Sequence, residues 1–151
     1  MPLAIALHLL AAVIWVGGMF LAWMVLRPVA AGLLDPPQRL TLWARVFERF
    51  FPWVWAAVAV LLATGLWMLF AVFGGMAAVR WHVHAMLAIG LVMMAIFAYL
   101  WFVPYRLLHA AVAAETWPEG GNHLARIRRL VGINLILGLV TVVVASAGRY
   151  L

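Results

Sequence analysis

The side chains best suited to chemistry in this chain are three histidines set among apolar residues: His8, His82 and His84. Imidazole is expensive to bury in an apolar environment and is the commonest side-chain metal ligand, so each invites a functional reading. His8 lies a short way inside the first apolar stretch, and His84 near the start of the third. Stretches one and three run the same way in an up-down-up-down bundle, which brings these two rings to similar depth. They are diagonal neighbours there, with axes roughly 11–14 Å apart. Two neutral imidazoles at that separation suit the axial positions of a haem b. Arg80 and Arg149 lie at the same end, placed to pair with its propionates.

His82 is turned about 200° of helix rotation away from His84. It stacks one helical turn before Met86 and, with Met76 in the preceding turn, forms an alternative soft site for copper. The other candidates are weaker. Met19, Met24, Met68, Met93 and Met94 share no common depth and read as core filling. His109 and His123 fall in polar connections, and Asn134 reads as an interhelical hydrogen bond. The four carboxylates, Asp35, Glu48, Glu115 and Glu119, lie outside the apolar stretches, so no proton relay of the pump type is visible.

The elements that must position these residues follow from hydropathy. Of the 151 residues 70% are hydrophobic and 9% charged, too little polar surface to cover a water-soluble globule. Four stretches, about residues 3–26, 50–73, 81–103 and 130–147, are each long enough to cross roughly 30 Å of hydrocarbon. None shows the alternation of a barrel strand, so the expected fold is all-α: one domain over residues 1–151, a transmembrane four-helix bundle with up-down-up-down topology. Pro28, Pro36, Pro37, Pro52, Pro104 and Pro118 are expected at helix ends or in loops, and Gly74-Gly75 as a tight turn. Between spans one and two, Asp35 caps and Pro36 starts a helix whose Leu40, Trp43, Phe47 and Phe50 share a face, predicting an interfacial helix. The third span is predicted to continue to about Ala114, with a break at Pro118 and Gly120-Gly121 and a restart capped by Asn122. Trp43, Trp53, Trp81 and Trp101 read as interface markers.

Charge sets orientation. Arg27, Arg39, Arg45, Arg49, Arg106, Arg126, Arg128 and Arg129 cluster at one end, against Arg80 and Arg149 at the other. Retention of basic residues in the cytoplasm then predicts a multi-pass protein of the bacterial inner membrane with both termini periplasmic. The formal charge of +6 is addressed to anionic membrane lipid rather than to nucleic acid. The absence of cysteine removes thiolate metal sites, iron–sulfur clusters and covalent haem attachment. Small residues on the helices leave a homodimer open.

The run from His8 through Trp15 and Gly17-Gly18-Met19 to Arg27-Pro28, with Trp81-His82-Val83-His84 opening the third span, resembles the copper-resistance D (CopD) family. More distantly it is similar to HemJ-type protoporphyrinogen oxidases. The second resemblance implies haem b held by His8 and His84, and redox exchange with a quinone, a porphyrin or a cytochrome partner. The first implies movement of copper across the inner membrane. Met86 stands where the HemJ pattern leads one to expect lysine, which argues against protoporphyrinogen oxidase activity. The full copper-transporting relatives implied by the first resemblance carry further helices beyond this four-helix core.

Overall fold

The computed structural model describes residues 1–148 and Tyr150, and every regular element among them is helical. Four long helices dominate: α1 (Pro2–Leu33), α2 (Pro36–Val72), α3 (Trp81–Ala113) and α4 (Trp117–Ala147). All four are long and apolar enough to cross a membrane, which makes this a multi-pass membrane protein. α1 packs chiefly on α2, and α3 on α4, with α4 also reaching α1 and α2.

The helices outrun the expected spans, and they do so at the arginine-rich end. The separate interfacial helix is not formed. Residues from Pro36 onward are the beginning of α2 itself, with Asp35 at its N-cap as expected. The apolar stripe read as lipid-facing is instead core: Leu40, Trp43 and Phe47 are buried, packed in one cluster with Leu108 of α3 and Leu124 and Ile127 of α4. Protein partners are available at this end because α3 and α4 also extend alongside α2 here, and burial against them removes apolar surface from water just as a lipid contact would.

Three prolines expected at ends or in loops lie inside helices. Pro52 sits in α2, Pro104 lies within a π-helical turn of α3 (Trp101–Tyr105), and Pro28 directly follows one in α1 (Leu21–Leu26). Proline leaves the carbonyl four residues earlier without its donor, and a local π turn re-routes the ladder around that gap. Gly120 and Gly121 also lie inside a helix, α4, which starts at Trp117 after Thr116 rather than after Asn122. A Cβ at Gly120 would stand 3.3 Å from a Leu40 methyl and 3.5 Å from Ala111 Cβ. Its smallness serves close packing of α2, α3 and α4 instead of ending a helix.

The turn between α2 and α3 holds as read: Gly74 and Gly75, with φ of 80° and 98°, reverse the chain there. The α3–α4 connection is a Schellman motif. Thr116 N–H donates to the Ala111 carbonyl and Glu115 N–H to that of Val112, while Glu115 carries the left-handed φ of 56°.

Aromatic rings fill the bundle from its middle toward the arginine end. Phe47 stacks on Phe51 at 4.9 Å, Phe51 meets Tyr105 at 5.0 Å and Phe97 at 5.4 Å, and Trp15 meets Phe97 at 6.2 Å. Trp43 and Trp101 belong to this array rather than to an interfacial belt, whereas Trp53 and Trp81 are exposed as a belt requires. Asn134 of α4 donates to the Met93 carbonyl of α3 at 3.1 Å, the interhelical bond expected of it. Toward the histidine end the packing thins: no residue is buried in 1–10, 59–68, 81–92 or 139–147. Burial is concentrated in the middle and at the arginine end of the bundle, with Leu69 and Gly148 still buried near the histidine end.

Candidate functional site

His8, half-buried on α1, is turned to α2, where its Nδ1 lies 2.8 Å from Thr64 Oγ1. The hydroxyl has one proton and is placed to donate it to the Val60 carbonyl at 2.6 Å. With the Thr64 proton on that carbonyl, Thr64 Oγ1 is the acceptor, Nδ1 carries the ring proton, and Nε2 keeps its lone pair. A second group that fixes the tautomer in this way is what orients metal-binding imidazoles. Gly65 lets the ring approach, since a Cβ there would stand 3.3 Å from His8 Cε1. Sequence reasoning found His8. It missed Thr64, whose sole signal was a hydroxyl at matching depth in the facing span.

His82 opens α3, one residue after Trp81 and two after Arg80, which occupies the N-cap. Its ring meets Trp81 edge-on at 6.1 Å. The end of α4 presses on it: a Cβ on Gly148 would lie 2.8 Å from His82 Cβ and 3.5 Å from Cγ. Enclosed in this way, Nδ1 is buried and has no hydrogen-bond partner. An orphaned polar atom of this kind costs roughly 1–3 kcal/mol unless something binds it. Met86, also half-buried, follows one turn later on the same face, with Cβ atoms at that spacing about 5–6 Å apart.

The remaining site candidates are dispersed. His84 is exposed on α3, and no hydrogen bond or ring contact joins it to His8. Met76 lies in the short turn Met76–Ala78 and is 43% exposed. Arg80 is engaged with neighbours, and Arg149 falls outside the described residues. His109 contacts Tyr105 at 6.2 Å, far along α3 toward the opposite end. Among the described residues no three His, Cys, Asp or Glu side chains gather as a metal cage. Two cavities among the described residues have no histidine in their lining. One of about 30 Å³ lies mid-bundle among Trp15, Phe51, Phe97 and Asn134, and a larger one opens at the arginine end.

Fold and side chains together define a small four-helix membrane protein with imidazole and thioether groups at one end and guanidinium groups at the other. The chain belongs to the CopD family: the family model described as Copper resistance protein D matches residues 44–147, more than half of the sequence. Membership makes it a membrane protein linked to copper resistance. No match was found among curated proteins or among solved structures. The matched region contains Thr64, Met76, His82, His84 and Met86, and His8 lies before it.

Proposed function

We propose that this protein binds Cu(I) at the histidine end of the bundle and passes it toward the membrane interior, with His82 and Met86 as the first ligands. The observation that supports this most is the buried, unpartnered Nδ1 of His82 one helical turn from a thioether. Imidazole and thioether together favour a soft monovalent ion, and two such ligands already hold Cu(I), whereas zinc asks for a fuller set of donors. Few residues are buried at this end, and His8, with Nε2 available, is a further stop on the way in. The histidine end faces the periplasm in this reading, with the arginines in the cytoplasm of a bacterial inner membrane.

The test is Cu(I) competition against a chromophoric chelator with the purified, detergent-solubilised chain. His82→Ala and Met86→Leu should each weaken Cu(I) by at least about tenfold. His109→Ala, at the opposite end, should leave it unchanged. Failure to hold Cu(I), or equal affinity in the His82 variant, overturns the proposal.

A second reading, haem b between His8 and His84 with a redox partner, draws support from the Thr64-oriented ring of His8. The fit is half complete, since His84 stands exposed on α3 without contact to His8. A Soret band in protein purified from haem-replete cells, lost in His8→Ala, would favour it over copper.

A further inference from the structure

The larger cavity, of about 290 Å³, lies at the arginine end between α1, α2 and α4. Arg27, Arg39 and Arg128 line it, one from each helix, and no carboxylate does. Among the described residues none of the three forms an ion pair, and Arg128 is close enough to Arg27 and Arg39 to be repelled by both. Three guanidiniums gathered without a counter-charge are a standing electrostatic cost that an anion would remove.

The walls are aromatic, from Trp23, Trp43 and Trp117. Trp23 belongs to the π-helical turn of α1, and Arg27 one turn later lies over its ring at 4.3 Å. On its other side the indole leans over Gly132 of α4, where a Cβ would stand 2.9 Å from it. Deeper in, the lining passes to Phe47 and Val131 at the apolar level of the spans. The starts of α2 and α4, at Pro36 and Trp117, open onto the same space and add the positive ends of two helix dipoles.

We propose that this cavity binds the phosphate headgroup of an anionic phospholipid. Its phosphate would rest on Arg27, Arg39 and Arg128, with the glycerol and first acyl carbons against the tryptophans. A soluble phosphate would use the arginines alone, whereas an apolar floor continuous with the membrane level suits a molecule that is anionic at one end and hydrocarbon at the other. The inference is independent of what the histidine end binds.

The test uses the full chain in nanodiscs of phosphatidylcholine with a minority of phosphatidylglycerol, followed by native mass spectrometry of the lipid retained on release. The wild type should retain phosphatidylglycerol in excess of its share. Each Arg→Gln change in the cavity should lower that retention about fivefold at low salt, so Arg27→Gln/Arg39→Gln should nearly abolish it. Arg126→Gln/Arg129→Gln removes the same charge from exposed positions of α4 outside the cavity and should change retention by less than about twofold. Should the cavity double fail to fold, Arg128→Gln, at an exposed position, reads the same fivefold loss. Equal losses in the two double variants, undiminished retention in the cavity variants, or displacement of the lipid by glycerol phosphate would each overturn the proposal.

Discussion

The hydroxyl of Thr64 decides which nitrogen of His8 is free: with its own proton on the Val60 carbonyl, it accepts from Nδ1 and leaves Nε2 open. Thr64→Val removes the acceptor while keeping the shape, so the ring should lose its single tautomer. Nitrogen-15 NMR of labelled histidine should show Nδ1–H alone in the wild type and in Thr64→Ser, and a mixture in Thr64→Val. The accompanying loss of stability should be about 1 kcal/mol, the net worth of one such hydrogen bond. At this scale the histidines were legible from residue type and apolar setting. Their surroundings were not. Whether a ring faces helix, lipid or metal depends on what stands opposite, and Thr64 for His8 and Gly148 for His82 come from distant parts of the chain. The exposed position of His84 was hidden for the same reason, since equal depth says nothing about azimuth.

Among the helices, neighbouring residues of one type meet opposite conditions. A Cβ on Gly18 would collide with the Phe50 ring of α2, while Gly17 faces open space. Gly18→Leu should therefore cost about 1–3 kcal/mol as overpacking, and Gly17→Leu should stay within about 0.5 kcal/mol of the wild type, as unfolding in mixed micelles can measure. The reverse holds at the end of α3. Glu115 occupies the left-handed position that glycine adopts without a steric penalty, so Glu115→Gly should stabilise the protein by about 1 kcal/mol in the same assay. Helix existence and the Gly74-Gly75 turn were readable because hydropathy and turn chemistry are local. The continuity of the helix begun at Pro36 with the second span was not, because the stripe of Leu40, Trp43 and Phe47 suits lipid and protein equally well, and only the extended α3 and α4 decide between them.

For the whole molecule, the length of α2, 37 residues and hence about 55 Å at 1.5 Å per residue, far exceeds a hydrocarbon core of roughly 30 Å. The helix therefore continues beyond the hydrocarbon core. The absence of cysteine makes topology directly readable by single substitution. Glu119→Cys should be labelled by an impermeant maleimide only after the cells are opened, and Gly75→Cys in intact cells. Labelling in the opposite pattern would reverse the proposed orientation. All-α architecture and span number followed from composition, since a chain this apolar has few other stable forms in lipid.

The sparse burial at the histidine end has a mechanical corollary. Side chains that grip one another resist a change in their surroundings, whereas helices held mainly by acyl chains splay or close as those chains shorten or lengthen. The spacing between the α1 and α3 imidazoles should thus follow the lipid in which the protein is reconstituted, while the aromatic array keeps its geometry. Any affinity that resides at the loose end becomes a property of the protein and its bilayer jointly, and a value measured in detergent micelles should differ from one measured in a thick membrane.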